Sequence, residues 1–376
     1  MIWEENHSVK KIKILIVTTT GLGKKEGIST IILDYFSRFD KDKFDIDIIA
    51  SGSYNYDLVV EFQNAGINIR CLPSRKASVR KYIIAFYKLF KLQHYDALYI
   101  HGSSAIMSIE LGIAKLAGCK VRIAHSHNTT CDHKKADKIL RPLFYILYTD
   151  AFACGKEAGK WLFGSRPYQL IKNGRDIKGY KFDELKRAAL RRQLKVHNED
   201  LLIGHVGNFN RQKNQEYLIN VFAELLQLKP NSWLYLMGDG KNKQKCMELA
   251  DKLKISNRVI FTGSITNVSD MLQAMDVMVL PSIHEGLPLV VVEWQMAGLP
   301  CLVSDTVTNE CVFTDLVYFM SLEEYLKWAN RIITLGKTDR LTNSKIAIDS
   351  AIEAGFDIEL DASRLQEYFI ERCDRG

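Results

Sequence analysis

Two glutamates, Glu285 and Glu293, stand eight positions apart and could serve different parts of one anionic ligand. Between them, Gly286 and Pro288 are typical of a turn into a helix, where the missing N–H of proline costs nothing. Free backbone amides at a helix start favour a diphosphate. Glu293 lies too far into the helix for phosphate, which its like charge repels, but it suits the vicinal hydroxyls of a ribose. The alternative is a buried helix with one acid beside its positive end.

The surrounding sequence reads as short strands that alternate with helices. Strands that run into loops are predicted at 11–20, 44–50, 96–104 and 120–130, and a strand that turns into a helix at 150–163. Further strands are predicted at 201–209, 232–240, 258–263, 275–282 and 300–305. Helical spacing follows several of them, as at 29–39, where Ser29 is the predicted N-cap, and at 214–230, which Pro230 ends. This alternation predicts mostly parallel sheets covered on both faces. The pattern starts twice, so we expect two doubly wound domains joined near 171–180.

The bulk composition bounds the class of protein. The chain has 376 residues, which is too long for a single hydrophobic core. Its residues are 47% hydrophobic and 25% charged, which is an average globular composition. No apolar run of eighteen residues and no apolar leader occur, so neither a transmembrane helix nor a signal peptide is expected. Eight cysteines without CxxC spacing predict reduced thiols in a cytoplasm. The net charge of +7 suits an anionic ligand or membrane surface.

Ordered motifs along most of the chain give it a resemblance to a known family. EGLPLVVVEWQMAGLPCLVSD at 285–305 resembles the E-x7-E signature of retaining glycosyltransferases of family 4, which have the GT-B fold. The other matching motifs are AHSHNT (124–129), ACGKEAGKWLFG (153–164), IKNGRD (171–176), GHVGNFNRQKN (204–214), LMGDG (236–240), VIFTG (259–263) and AMDVMVLPS (274–282). Within that family the chain most resembles bacterial capsular and exopolysaccharide transferases.

The resemblance implies an α/β chain with two doubly wound, Rossmann-like domains that face a cleft. The implied domains are 1–174 on the acceptor side, 175–355 for the nucleotide sugar, and a C-terminal helix, 356–376, that crosses back to the first domain. The implied activity is hexosyl transfer with retention, without metal or cofactor, in capsule or exopolysaccharide biosynthesis. The implied donor is a nucleotide diphosphate sugar, with UDP on family grounds alone, and the implied acceptor is a lipid-linked glycan.

The resemblance also assigns roles to residues by position. Glu285, Lys213 and His127 are the implied catalytic residues. Glu285 would lie near the donor sugar, Lys213 on the leaving diphosphate, and His127 in the sugar pocket of the first domain. Glu293 matches the ribose ligand of the family. The other implied donor-binding residues are Gly27, Asn208, Arg211, Gly286, Leu287, Pro288, Leu289 and Val290.

The chain departs from the family pattern at two positions. Asn208 stands where the family usually has an arginine for the diphosphate, and Arg211 is the candidate substitute. Glu26 stands where a glycine normally precedes Gly27, next to a predicted phosphate or acceptor contact. These departures keep open the alternative of a non-catalytic partner subunit of a transferase. A nucleotide-sugar epimerase of the same fold, which would need no acceptor, is the other alternative.

Two acidic or glycine-rich stretches resemble known ligand sites but fail in detail. The 21–27 segment lacks Walker spacing, because Glu26 occupies the place of its second glycine. Asp45 and Asp47 resemble a metal-binding DxD pair. They lie in mid-strand on one face, so a surface or edge position is predicted for them.

Four histidines lie in or directly after predicted strands. His125 and His127 alternate in a polar loop predicted to cover a sugar site, and a zinc pair is disfavoured because no acid or cysteine is near in sequence. His101 is open between an acceptor-side role and a structural one. His205 sits in an apolar strand and is predicted to be in the core.

Two basic segments lie in the first domain. The 75–93 segment carries six Lys or Arg residues interleaved with aromatic residues, and 134–141 adds a second cluster. Two roles are open for these segments. They could dock on an anionic membrane, or they could form helices that cover the sheet with their basic faces in water. Nucleic-acid binding is not expected. The predicted location is the cytoplasm, where the protein could also contact the inner face of the cell membrane.

Overall fold

The computed structural model describes residues 10–22, 27–52 and 54–374. The chain forms two compact units: a first unit of Met1–Gly174 with Ile358–Gly376, and a second unit of Arg175–Asp357. The strands are β1 (Ile12–Thr18), β2 (Phe44–Ser51), β3 (Asn68–Leu72), β4 (Ala97–Gly102), β5 (Val121–Ser126), β6 (Asp150–Ala153), β7 (Gln169–Leu170), β8 (Leu201–Val206), β9 (Ser232–Met237), β10 (Val259–Gly263), β11 (Val277–Leu280), β12 (Cys301–Ser304) and β13 (Val317–Met320). The helices are α1 (Gly27–Phe36), α2 (Tyr56–Asn64), α3 (Val79–Gln93), α4 (Ser108–Leu116), α5 (Lys134–Leu147), α6 (Lys156–Phe163), α7 (Ile177–Tyr180), α8 (Glu184–Gln193), α9 (Gln215–Leu228), α10 (Lys243–Lys252), α11 (Val268–Ala274), α12 (Leu289–Met296), α13 (Tyr325–Leu335), α14 (Arg340–Glu353) and α15 (Ile358–Asp374).

The first unit is built on a parallel sheet in the order β3-β2-β1-β4-β5-β6-β7. Its central strand β1 is apolar on both faces, and Ile14, Leu15 and Ile16 are fully buried, as expected of a strand covered by helices on each side. The chain builds outward from β1 in one direction and from β4 in the other. The β1–β4 pair is therefore the point where the strand order reverses.

Helix α15 completes the core of the first unit. The Phe369 ring is fully buried and lies with its centroid 5.8 Å from that of Tyr99. At the far end of the helix, Arg372 makes paired hydrogen bonds to Asp150 at 3.0 and 2.9 Å, and the Tyr368 hydroxyl also donates to that carboxylate. The predicted return of the C-terminal helix to the first domain is confirmed.

The second unit repeats the design with a parallel sheet in the order β10-β9-β8-β11-β12-β13. Its strand order reverses between β8 and β11. Trp294 of α12 and Trp328 of α13 are both fully buried in its core. The prediction of two doubly wound α/β domains is confirmed, and the boundary between the units falls after Gly174.

The structure corrects three local predictions. Ser29 does not cap a helix, because α1 already begins at Gly27 and Ser29 is buried inside it. Strand β2 is not an edge, because β3 pairs outside it. Asp47 is consequently buried, with Arg70 Nε donating to it at 2.6 Å and the Tyr95 hydroxyl donating as well. The carboxylate of Asp47 is therefore used in a buried ion pair, contrary to the predicted surface position.

Candidate functional site

The candidate site of the second unit lies at its topological switch point, where β8 and β11 are neighbours. In open parallel sheets, ligands bind beyond the carboxyl ends of the strands at this point. Two loops emerge there, 207–214 after β8 and 281–288 after β11. Ile283 donates its amide to the Gln212 carbonyl at 2.8 Å, which fixes one loop against the other.

Lys213 and Glu285 meet across these two loops. The Lys213 Nζ lies 2.8 Å from Glu285 Oε1, and the side chains are only 16% and 10% exposed. Ser282 Oγ donates to the same carboxylate oxygen at 2.7 Å, and Gln212 Nε2 donates to the other oxygen at 3.3 Å. The structure therefore brings two of the predicted catalytic residues into one ion pair. The carboxylate of Glu285 is held by Lys213, Ser282 and Gln212.

Close backbone contact positions Lys213. A Cβ added to Gly207 would lie 3.1 Å from the Lys213 stem. A Cβ added to Gly238, whose φ is +142°, would lie 2.2 Å from the Gly207 carbonyl oxygen. Gly240 meets the Phe209 carbonyl oxygen in the same way, at 2.6 Å. Only glycine permits this approach, so the 236–240 motif supports the loop that carries Lys213.

The start of α12 leaves its first amides without a side-chain cap. Pro288 is the N-cap with φ −76°, one position earlier than its predicted place as the first helical residue, and it offers no hydrogen-bond acceptor in its side chain. The amides of Leu289 and Val290 therefore belong to an uncapped helix start, a favourable position for an anion. Gly286 is exposed, and a Cβ there would meet nothing within 4 Å, so there is space for a ligand beside these amides.

Glu293 is paired with an arginine for which no role was predicted. Arg175 Nε donates to Glu293 Oε1 at 2.8 Å, and both side chains are 12% exposed. Arg175 lies in the IKNGRD motif, which is the only signal that could have singled it out. The carboxylate of Glu293 has the capacity for further donors, because two oxygens accept more than one hydrogen bond each.

Two of the remaining predicted residues of these loops, Asn208 and Arg211, are exposed. The Asn208 side chain is exposed while its carbonyl accepts from Gln215 Nε2 at 3.0 Å, and Arg211 is exposed two residues before Lys213. Leu287 is half-buried against the core. His205, below these loops in β8, is fully buried and bonded through Nδ1 to the Val279 carbonyl at 2.9 Å, so its predicted core position is seen.

In the first unit, the predicted residue His127 belongs to a cluster with His101 and His125. His101 Nδ1 lies 2.8 Å from His127 Nε2, and His125 Nδ1 lies 2.6 Å from the Tyr99 hydroxyl. Burial lowers the pKa of all three imidazoles, that of His127 to about 3, so they are neutral near pH 7. His101, which the adjacent strand supplies, could not be placed beside this pair from near neighbours along the chain.

Gly27 is the first residue of α1 and is exposed, with nothing within 4 Å of an added Cβ. This agrees with space for a ligand at that point. Glu26, the acid expected to disturb it, lies outside the described residues.

The two basic segments of the first unit form α3 and α5. Tyr82, Phe86 and Phe90 of α3 are buried in the core, so that helix does cover the sheet. Its other face exposes Ile84 and Tyr87. The exposed large apolar residues of α5 are Ile139, Leu143 and Ile146. Among the described residues, none of the helices combines the length and apolar character needed to cross a bilayer.

Comparison with known proteins agrees with this geometry. Residues 186–341 match the family model described as glycosyl transferases group 1. The chain is 28% identical over 359 residues to EpsF of Bacillus subtilis, whose name classes it with the glycosyltransferases, over 90% of this chain and 92% of that one. It is 24% identical over 383 residues to the UDP-Gal:alpha-D-GlcNAc-diphosphoundecaprenol alpha-1,3-galactosyltransferase of Escherichia coli, over 96% and 97%.

Among solved structures, Anabaena HepE in complex with UDP superposes with a TM-score of 0.79 at 19% identity. The match covers 96% of this chain and 100% of that one. This likeness concerns the fold.

Proposed function

We propose that this chain is a group 1 glycosyltransferase of the GT-B fold that moves a hexose, with retention, from a UDP-sugar to a lipid-linked glycan. The observation that carries the proposal is the Lys213–Glu285 pair beside the uncapped start of α12. A cation, a carboxylate and free amides stand together at the switch point of a nucleotide-binding type of sheet. The names of two similar proteins, one acting on UDP-Gal and one solved with UDP, support uridine in the donor.

In the proposed donor complex, the diphosphate lies against the amides of Leu289 and Val290 and beside Lys213. The helix start supplies partial positive charge and Lys213 supplies a full one, so both act on the negative charge that grows on the leaving group. Glu285 balances Lys213 in the free protein. When the diphosphate arrives, Lys213 gains a second anionic partner and Glu285 becomes available to the transferred sugar.

The ribose is proposed to bind Glu293. Its carboxylate is fixed by Arg175 at 2.8 Å and is therefore oriented before the nucleotide binds. Vicinal hydroxyls suit this carboxylate, because each carboxylate oxygen can accept more than one hydrogen bond. Arg175 thus acts as a positioning residue for the nucleotide.

The proposed chemistry is a front-side displacement assisted by the leaving group. The bond between the anomeric carbon and the diphosphate oxygen breaks through an oxocarbenium-like state. The acceptor hydroxyl forms the new bond on the same face and passes its proton to the departing diphosphate oxygen. Lys213 and the helix amides stabilise the charge on that oxygen, so the proposed reaction needs neither a metal nor a cofactor.

The proposed acceptor is lipid-linked, and the first unit carries surfaces that suit an anionic membrane. Exposed apolar residues of α5 lie on a helix whose first turn has Lys134 and Lys135. Basic helices with an exposed apolar face bind anionic lipid interfaces, with about 1 kcal/mol from each lysine near the surface. The acceptor of the E. coli relative, a diphosphoundecaprenol by its name, is consistent with this location.

Thermal stability in the presence of nucleotides tests the donor site. UDP, dTDP, GDP and ADP are each added to the wild type, to Glu293→Ala, and to the matched control Glu248→Ala, an exposed acid of the same unit. A nucleotide at a hundredfold its dissociation constant stabilises by about 2.7 kcal/mol. We expect UDP alone to stabilise the wild type and the control, and to lose this effect in Glu293→Ala.

The same experiment separates the alternatives. If no nucleotide stabilises the wild type, the proposal fails and a non-catalytic partner subunit becomes the better account, with Asn208 as its reason. If UDP binds, incubation with UDP-sugars and without acceptor distinguishes transfer from epimerisation. An epimerase would convert the donor sugar, whereas a transferase needs the acceptor to release UDP.

A further inference from the structure

His101, His125 and His127 are held on one face of the first sheet by its hydrogen-bond register. His101 is paired directly with His125 across β4 and β5. The amide of His127 donates to the Gly102 carbonyl at 3.2 Å, so the ladder continues past the end of β5. Side chains two residues apart on a strand point to the same face. The backbone therefore fixes three imidazoles together at the carboxyl end of two central strands.

The nitrogens of the three rings converge. One ring nitrogen from each residue lies within 4.8 Å of the others. His101 and His125 are 2% and 1% exposed, yet the Nε2 atom of each lacks a hydrogen-bond partner among the described residues. A buried polar atom left without a partner keeps the full penalty of its desolvation. Two such atoms in one cluster call for a ligand that accepts their lone pairs.

Tyr99 holds the His125 ring in the way that an outer hydrogen-bond partner holds a metal-binding histidine. Its hydroxyl lies 2.6 Å from His125 Nδ1, which leaves Nε2 as the unpartnered nitrogen. Histidines that bind metals almost always engage an oxygen through the other ring nitrogen, which fixes the ring and its tautomer. The cluster therefore has an outer partner as well as three inner nitrogens.

We propose that His101, His125 and His127 form a binding site for a first-row transition metal ion such as Zn²⁺. Imidazole is a preferred ligand of zinc, cobalt, nickel and copper, and three histidines with an open fourth position form a known class of zinc site. Zinc–nitrogen bonds of about 2.0–2.1 Å place the ligand nitrogens about 3.3 Å apart in a tetrahedral site. Binding would replace the 2.8 Å contact between His101 Nδ1 and His127 Nε2.

The open position of this site lies on the side of His127, which is only half-buried. A bound ion would occupy the imidazole of His127, which the family resemblance places in the sugar pocket of the proposed transferase. The ion is then an inhibitor of transfer and not its cofactor. This consequence rests on the proposed function, whereas metal binding itself does not.

Cobalt and zinc binding to the tag-free, full-length protein test the site directly. After removal of metal by chelation, Co²⁺ titration should give visible absorption bands of a tetrahedral nitrogen site, saturating at one ion per chain, and Zn²⁺ should displace it. Sulfur-to-cobalt charge-transfer absorption in the near ultraviolet would identify binding to cysteines instead. Such absorption without the visible bands of the nitrogen site would overturn the proposal.

Two variants remove ligands, and one serves as a matched control. His127→Ala, at the end of β5, and His101→Asn should each weaken Co²⁺ binding by at least tenfold. His94→Asn changes an exposed histidine at φ +52°, a conformation that asparagine tolerates, and should bind as the wild type does. Absence of stoichiometric binding, or equal affinity in all variants, would overturn the site. UDP stabilisation, measured without metal, is independent of either result.

Discussion

At the scale of single residues, the proposed ligand contacts are already engaged in ion pairs within the second unit. Lys213 pairs with Glu285, and Arg175 pairs with Glu293, each at 2.8 Å and with most of both side chains buried. Such pairs bring little net stability, because desolvation offsets the attraction, but they orient their members. Replacing one partner leaves the other as an uncompensated charge.

Replacing Lys213 should reduce turnover far more than donor affinity. Lys213→Ala removes the cation proposed to act on the leaving diphosphate, and loss of one preorganised group of this kind lowers kcat by about 10²–10³. Lys213→Arg keeps the charge and should retain part of the activity. The measurement is steady-state kinetics with UDP-sugar and acceptor, with Lys245→Ala as the control for an exposed lysine paired with Glu216.

Unchanged kcat in Lys213→Ala would sink the proposed mechanism. The thermal transition of each variant must be measured alongside, because Glu285 loses its partner in this variant. A variant that is inactive only because it is unfolded would lack the thermal unfolding transition of the wild type.

Glu285, Glu293 and Lys213 could be proposed as site residues from the sequence, because the spacing of acids around an apolar helix and the order of motifs are visible in one dimension. Their partners could not be proposed in this way. Arg175 lies 118 positions before Glu293, and Asp47 is bonded to Tyr95 from 48 positions away. Pairs of this kind arise only when strands and loops assemble, so the predicted surface position of Asp47 was wrong.

At the scale of elements, the loops after β8 and β9 touch backbone to backbone. The carbonyl oxygens of Gly207 and Phe209 occupy the places where side chains of Gly238 and Gly240 would begin. The 236–240 motif is therefore a steric requirement of the loop that carries Lys213.

A methyl group at Gly238 should displace that loop. Gly238→Ala places a Cβ 2.2 Å from the Gly207 oxygen, at a φ of +142° that alanine rarely adopts. Backbone strain of this type costs about 1–3 kcal/mol, and the clash adds to it. We expect a lower free energy of unfolding and weaker UDP stabilisation, whereas Gly286→Ala, with open space around it, should unfold as the wild type does. Equal stability of the two variants would contradict the steric account.

Long apolar runs predicted most strands and their order along the chain. The missed strands β3, β7 and β13, NIRCL, QL and VYFM, are short and incompletely buried. These strands form because a neighbouring strand pairs with them, so the periodicity of their own sequences was too weak to predict them. The start of α12 was displaced by one residue because helix ends depend on the conformation of the cap, here Pro288.

At the scale of the whole molecule, each of the two units contains buried histidine side chains that are uncharged near pH 7. Burial lowers the pKa of His205 in the second unit to about 4 and that of His127 in the first to about 3. The unfolded chain binds protons near pH 6.5, while the folded chain does not. Stability is therefore fully present above that pH and is lost as the pH falls through 6.5 toward the folded values.

Acid sensitivity should begin in the histidine range, above that of the carboxylates. The midpoint of thermal unfolding should be constant between pH 8 and pH 7 and should fall from pH 6.5 to pH 5. Each buried histidine contributes a slope of about 1.4 kcal/mol per pH unit once the unfolded chain is protonated. His205→Gln should make the fall shallower in the second unit. A flat midpoint down to pH 5 would contradict the assignment of neutral histidines.

Helix α15 makes the stability of the first unit depend on a distant part of the chain. Phe369→Ala removes a fully buried ring that packs against Phe36, Phe39 and Tyr99. A cavity of this kind costs about 3–5 kcal/mol. Leu360→Ala, on the exposed face of the same helix, should change the free energy of unfolding by less than about 1 kcal/mol. Equal effects in chemical denaturation would show that α15 is not part of that core.

This connection sets an order of events during synthesis. The second unit is continuous from Arg175 to Asp357, so all of its strands have left the ribosome before α15 has. The first unit lacks one wall of its core until residues 358–374 emerge. Domains usually fold in the order in which they are made. Here the unit that is translated first is finished last, and its unfinished sheet must be sheltered from other chains for the whole time that the second unit is being made.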